Sequence, residues 1–313
     1  MTTPLVSILI NNYNYARFVD QAIASALNQT YPHTEVILVD DGSTDNSRQV
    51  IQQYNGRIVT HFKSNAGQGS TFNAGFALSR GDIICFLDAD DTFVPEKAAE
   101  VVKTFQTSPD FGWCYHQMSL HHVATGLCTP PPPGFTSRPV DFRKNIRASR
   151  LPAFAPATSA LCFSRKLLQQ ILPMPELEGT CADRYLKLAA LILSPGYFLD
   201  RSLAIQKIHA NNAYTLRSDK ERTGAKSLVF TATCLRTRFP ECTALADKLF
   251  AQGVGIYWRT GGIDPQYADI VHNYLANAPL FSRCRTMLRA AYHASTLLAP
   301  IRSYRTSRRR RCF

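Results

Sequence analysis

Three carboxylates in four positions, Asp88-Ala89-Asp90-Asp91, close an apolar run, Asp82-Ile83-Ile84-Cys85-Phe86-Leu87. On an extended chain Asp88 and Asp90 project to the same side. Paired carboxylates at a strand end suit a hard divalent cation, Mg2+ or Mn2+, whose shell is completed by diphosphate oxygens and water. Aspartates also form turns and cap helices, so the cluster alone leaves both readings open. A second acidic run, Asp40-Asp41-Gly42-Ser43-Thr44-Asp45, reads by itself as a strand, a tight turn and a helix cap. A carboxylate in that loop can equally accept the imide N–H of a uracil ring or bond a ribose hydroxyl.

The elements that must hold these residues are legible from periodicity. Leu5 to Ile10 and Glu35 to Asp40 are apolar, branched runs of strand length, with a helical stretch from Ala16 to Leu27 between them. In that stretch Phe18, Ala22, Ile23, Ala26 and Leu27 share one face. The unit recurs: a helix opening near Asp45, a strand from Ile58 to Phe62, a helix from Thr71 to Ser79, and a strand from Asp82 to Leu87. Further helices are predicted from Pro95 to Thr107, Arg165 to Ile171 and Asp183 to Leu193, with strands from Gly112 to Val123 and Gly196 to Ile205. Alternation of this kind implies an α/β fold with an open, mixed but mostly parallel sheet covered by helices. Ligands of such sheets sit beyond the carboxyl ends of the strands. There the sequence places Asn11-Asn12-Tyr13-Asn14, the Asp40 to Ser43 loop, Lys63 to Gly67, and the acidic cluster.

Taken together, Asn12-Tyr13-Asn14, Val39-Asp40-Asp41-Gly42-Ser43-Thr44-Asp45, Asn65-x-Gly67, Asn73-x-Gly75 and Leu87-Asp88-Ala89-Asp90-Asp91 resemble, in order and spacing, the motifs of family 2 glycosyltransferases of the GT-A fold. The resemblance spans about residues 4 to 215. It implies an inverting transfer of a sugar from a nucleoside-diphosphate donor, UDP-type favoured, to the hydroxyl of a saccharide or lipid-linked acceptor. Asn12, Asn14, Asp40, Asp41, Lys63 and Asn73 would line the donor site, with Asp41 as the base contact. Asp88 would face the ribose or metal-bound water, and Asp90 would be the main metal ligand. In Gln206-Lys207-Ile208-His209-Ala210-Asn211-Asn212, His209 would complete the metal or diphosphate site and Lys207 would touch the diphosphate.

The resemblance also supplies an acidic catalytic base at the start of a helix about ninety residues after the metal motif, and Asp183 stands there. The usual Glu-Asp pair is Ala182-Asp183 in this chain. Thr180-Cys181-Ala182-Asp183 reads as well as a helix capping box. A carboxylate at a helix N-terminus stays ionised readily, so the two roles are compatible.

Composition narrows the remaining classes. Of 313 residues, 45% are hydrophobic and the net charge is +12. Nine arginines, with no Lys, Asp or Glu, fall between Arg283 and Phe313, so the body of the chain is close to neutral. That is unlike a nucleic-acid-binding face, and no specific nucleic acid is expected. Within the tail Met287, Ala291, Ala294, Leu298 and Ile301 are spaced for one helical stripe ahead of Arg302, Arg305 and Arg308 to Arg311. Such a segment lies on an anionic membrane surface, or packs on the catalytic domain and ends in a solvated basic arm.

Nine cysteines without a Cys-x-x-Cys pair speak against a zinc site or disulfide framework. Without an apolar run of about 18 residues, the expectation is a cytoplasmic protein, peripheral at the inner face of the membrane. The expected organisation is a catalytic domain over residues 1–217, with a nucleotide half to about 94 and an acceptor half from 95, followed by a helical region over 218–313. Two rival classes are a noncatalytic nucleotide-sugar or membrane scaffold and a sugar nucleotidyltransferase. The latter needs a glycine-rich, basic loop after the first strand, which Asn11 to Asn14 does not provide.

Overall fold

The computed structural model describes residues 3–131, 133, 136–152, 156–210, 212 and 219–295. Expectations for Leu298, Ile301 and the arginines from Arg302 onward lie outside these residues, as does part of the Pro130 to Gly134 run.

The first half alternates as the sequence pattern requires: β1 (Val6–Asn12), α1 (Val19–Leu27), β2 (Thr34–Asp40), α2 (Ser47–Gln52), β3 (Val59–Phe62), α3 (Gln68–Leu78) and β4 (Ile83–Asp88). Then come β5 (Thr92–Phe93), α4 (Lys97–Gln106), β6 (Trp113–His122), β7 (Leu127–Thr129), β8 (Arg138–Val140) and α5 (Arg143–Arg147). A 3-10 turn, Thr158–Ala160, leads to β9 (Leu161–Ser164), α6 (Arg165–Ile171), α7 (Asp183–Leu193) and β10 (Gly196–Ile208). Four helices close the described chain: α8 (Lys220–Arg238), α9 (Thr243–Arg259), α10 (Pro265–Ala276) and α11 (Leu280–Ser295).

The described strands form one sheet in the order β3-β2-β1-β4-β9-β6-β10-β5, with β7 on β6 and β8 on β10. β1 runs parallel to β2 and β4, β2 to β3, and β6 to β10. β9 is antiparallel to both its neighbours. Sequence periodicity misses β9, because Leu161-Cys162-Phe163-Ser164 is too short a run to distinguish from the start of α6.

Side-chain alternation divides the core between the two faces. Ile8, Ile10, Val36, Leu38, Cys85 and Leu87 pack with Val19, Ala22, Ile23 and Val101 of α1 and α4 on one side. Leu9, Ile37, Val39, Ile84 and Phe86 face α3, α6 and α7 on the other, and that core continues unbroken to Phe250, Tyr257 and Ala290 of the closing helices. Helices α8 to α11 therefore pack onto the catalytic layer and share its core.

The stripe expected in the tail is rotated. Met287 and Ala294 are half-buried and Ala291 exposed, while Thr286 and Ala290 are the buried positions of α11. Apolar spacing identifies a face but not which side a neighbouring helix covers. Among the described residues no helix is long and apolar enough to cross a membrane.

Candidate active site

Strand register assembles the first shell. In the β1–β2–β4 ladder Asn12 stands opposite Asp40 and Asn11 opposite Asp88, and the side chains follow the backbone. Asn12 Nδ2 donates to Asp40 Oδ1 at 2.7 Å, and Asn11 Nδ2 to Asp88 Oδ1 at 2.8 Å. Asp40 also accepts from the Ser43 hydroxyl at 2.6 Å and the Ser43 N–H at 3.0 Å, which locks the turn. Asn14 adopts φ 58°, a left-handed conformation that Asn tolerates. From there its Oδ1 accepts the Thr44 N–H at 2.7 Å. Asn12, Asn14 and Asp40 thus act on each other's loops.

Asp41 is buried, and its carboxylate accepts from Lys63 Nζ at 2.7 Å, the Ala66 N–H at 3.1 Å, the Gly67 N–H at 2.8 Å and the Ser70 hydroxyl at 3.3 Å. Lys63 Nζ donates further to the Ser64 carbonyl and the Ser70 hydroxyl. Gly67, at φ 88°, begins α3 where a Cβ would meet the Leu177 carbonyl at 2.6 Å; only glycine fits this approach. The Asp41–Lys63 pair is therefore a loop clamp as it stands, with its hydrogen bonds already made. Asn73 is likewise engaged away from the strand ends. Its amide exchanges hydrogen bonds with the backbone of Met174 and donates to Glu176 Oε1, fixing the loop ahead of α7 rather than projecting among the nucleotide loops.

The three carboxylates at the end of β4 occupy different environments. Asp91 is fully engaged, accepting from the Ser159 hydroxyl at 2.6 Å and the Lys207 N–H at 3.2 Å. Burial, together with Asp90 and Asp88, pushes its carboxyl well above the ordinary range. Ser159 Oγ also receives the Asp88 N–H at 3.0 Å, and its carbonyl receives Lys97 Nζ at 2.7 Å. Asp88 is raised to about 7, by burial first and then by the charge of Asp90. Asp90 Oδ2 lies 3.1 Å from His209 Nε2 and accepts from Asn212 Nδ2 at 3.0 Å. The His209 ring stacks on Phe18 with centroids 4.3 Å apart.

Lys207 reaches the same place from β10. Among the described residues its buried ammonium has no hydrogen-bond partner, and burial lowers its pKa against the pull of Asp91 and Asp90. A buried ammonium with hydrogen bonds left to give is suited to an anionic group.

Asp183 begins α7 and lies close enough to Asp88 to raise its pKa. Burial opposes its charge, but Lys187 one turn on, 2.7 Å from Oδ2, outweighs this and holds the carboxyl below its ordinary value. The capping box expected at Thr180 is not formed: the N-cap is Ala182 without a side-chain cap, and the Thr180 hydroxyl bonds that of Tyr267 on α10. Gln266 of α10 donates to the Glu178 carbonyl, Ser227 of α8 to the Cys181 carbonyl, and the Ala182 N–H to Gln68 Oε1. The closing helices and α3 thus brace the loop that presents Asp183. Lys187, at i+4 from Asp183, could have been found from helical spacing. Ser159, Lys97 and Gln68 carry no local signal.

Among the described residues no three His, Cys, Asp or Glu side chains converge as a preformed metal cage. A cation that takes one or two protein carboxylates and fills its shell with phosphate and water needs no such cage; Asp88 and Asp90 are the carboxylates that would serve it.

Known proteins bear on this arrangement. The pattern that defines "Glycosyl transferase family 2" matches residues 7–150. An uncharacterized glycosyltransferase of Nostoc sp. (strain PCC 7120) is 36% identical over 231 residues, covering 71% of this chain and 70% of that one. The chain belongs to the family 2 glycosyltransferases. Among solved structures, TarS of S. aureus (residues 1–349, with UDP-GlcNAc) superposes with a TM-score of 0.62 at 17% identity, covering 93% of this chain and 91% of that one. The mannosyltransferase PcManGT of Pyrobaculum calidifontis, with GDP-Man and Mn2+, gives 0.51 at 17% identity over 94% and 88%. At these identities the likeness is one of fold, and it extends through the closing helices of this glycosyltransferase.

Proposed function

We propose that this family 2 glycosyltransferase inverts configuration, moving a sugar from a nucleoside-diphosphate donor, UDP-type favoured, to a hydroxyl of a saccharide or lipid-linked saccharide. The observation that carries the reading is Asp183: an ionised carboxylate at the start of α7, beside the acidic end of β4. The acceptor hydroxyl attacks the anomeric carbon from the face opposite the diphosphate, and Asp183 takes its proton. Lys187 keeps that carboxylate charged until the transfer. Asp40, with Asn12 and Asn14, shapes the nucleoside loop, and Lys207 meets the negative charge of the diphosphate.

A divalent cation, Mg2+ or Mn2+, held by Asp90 with Asp88 and His209 would neutralise charge building on the departing diphosphate. The Mn2+ bound with GDP-Man in the mannosyltransferase of like fold supports this choice. Lys63 reaches a base only by giving up a present partner, so its role is to set the loop that the base rests on, whereas Asp41 Oδ2, with a single donor from Gly67 N–H, keeps an acceptor for the base. Catalysis takes place in the cytoplasm, with the enzyme peripheral at the membrane's inner face.

The test is a panel of nucleotide sugars supplied with each metal, read first by thermal shift, since a bound donor raises the melting temperature. The selected donor is then offered with saccharide acceptors. Release of nucleoside diphosphate and a product of inverted anomeric configuration are expected. Pyrophosphate release or retained configuration would overturn the proposal.

A further inference from the structure

Helix α11 has two apolar sides, and among the described residues only one is packed into the core. The inner side packs Thr286 and Ala290 against α9, where Gly255 leaves room that a Cβ would fill: it would stand 2.6 Å from the Ala290 carbonyl oxygen. The outer side carries Leu280, Phe281, Leu288 and Tyr292, which are 73%, 78%, 73% and 65% exposed. Phe281, Leu288 and Tyr292 fall at i, i+7 and i+11, a single stripe along three turns. Scattered exposed apolar residues need no explanation, but a contiguous stripe of large ones marks a contact surface.

The charge around the stripe selects what it contacts. Arg289 is exposed on this helix, whereas Arg285, over the Phe281 ring at 5.9 Å from its centroid, turns its guanidinium to buried Asp247, 3.7 Å away. From Arg283 to Phe313 the chain carries nine arginines and no carboxylate side chain. A second copy docked through this helix would bring two arginine-only segments together, and like charges in contact oppose association. An anionic phospholipid surface accepts both halves of the pattern: the stripe enters the boundary between headgroups and acyl chains while arginines meet phosphate.

We propose that the outer face of α11, Leu280, Phe281, Leu288 and Tyr292 with Arg289, docks this enzyme on an anionic lipid bilayer. The proposal gives the contact surface for the peripheral placement proposed above. It is independent of donor, metal and stereochemistry, and donor hydrolysis in solution reads those separately.

Flotation of the full chain with phosphatidylglycerol–phosphatidylcholine vesicles, compared with phosphatidylcholine alone, tests it. A variant carrying Phe281→Ser, Leu288→Ser and Tyr292→Ser changes only exposed side chains, and its thermal unfolding and donor hydrolysis in solution are expected to match wild type. Its partitioning onto anionic vesicles is expected to fall by about a hundredfold, the effect of withdrawing three partly inserted apolar groups. Wild-type binding is expected to weaken with salt and on neutral vesicles. Equal flotation of the triple variant and wild type would overturn the proposal. So would a wild type that stays off anionic vesicles, or one that is a dimer in solution which the three serines turn into a monomer.

Discussion

Replacing Lys187 by Met separates a base held ionised by its neighbour from one that is merely packed beside it. Lys187 Nζ stands 2.7 Å from Asp183 Oδ2, and the two side chains are only 14% and 13% exposed, so solvent screens the pair weakly. Without the ammonium, burial acts on Asp183 against the weaker help of Arg184 and Cys181. A buried carboxylate that loses its adjacent cation titrates higher, and removing one partner of a buried ion pair costs about 3–5 kcal/mol, so the variant is expected to lose about that much stability at neutral pH.

The sign follows from linkage. In the wild type the folded pKa lies below the unfolded one, so the pair stabilises above the unfolded value and that contribution disappears as pH falls through the folded pKa. In the variant the deficit is full at neutral pH and shrinks in acid, where the carboxyl is protonated in both proteins. The catalytic counterpart is the acid limb of kcat/KM, which should move to higher pH. Urea unfolding at neutral and acid pH, with kcat/KM profiles across the range, reads both. Lys187→Arg keeps the charge and should restore the limb. An unmoved limb in a destabilised Lys187→Met protein would refute Asp183 as the titrating base.

Asp183→Asn should lower kcat by about 10²–10⁴ while thermal shift still registers donor binding; wild-type turnover would remove Asp183 from catalysis. Ser159→Ala withdraws a donor from buried Asp91 and an acceptor from the Asp88 N–H, and should destabilise by about 2–6 kcal/mol in urea titration, at about 1–3 per orphaned group. A loss inside measurement error would mean that water or relaxation replaces the hydroxyl. Lys207→Met removes the cation that stands beside Asp91 and Asp90. The same change should weaken donor binding in calorimetry by about tenfold or more, at about 1.4 kcal/mol per tenfold; unchanged affinity would place Lys207 off the diphosphate. Chelation should abolish transfer and either Mn2+ or Mg2+ restore it, whereas full activity in chelator would dismiss the metal.

Legibility varied with how local the determining interaction is. The polar loops stand at strand ends because a strand of fixed period must stop somewhere, and Asn11, Asn12, Asp40 and Asp88 are the residues at those stops. The roles within that set were less legible. Asp41 and Asn73 fall in the expected motifs, yet the structure uses their polar groups to hold the Ala66–Gly67 backbone and the Met174 backbone with the Glu176 side chain. A side chain that can bind a nucleotide can also satisfy a buried backbone group, and only the neighbours decide which it does.

The sequence by itself determined the strand and helix periods, the acidic and asparagine-rich strand ends, and the placement of charge in an arginine-only tail, because these depend on residues near one another in the chain. The tertiary structure alone decided what makes Asp183 usable. Thr180 turns to Tyr267, Ser227 and Gln266 hold the loop before α7, and Gln68 reaches across from α3. It also decided that Ser159 ties Asp91 to Asp88, through contacts spanning about seventy residues. Partners so far apart leave no periodic trace, since each is polar in its own segment and becomes specific only when the fold removes water from between them.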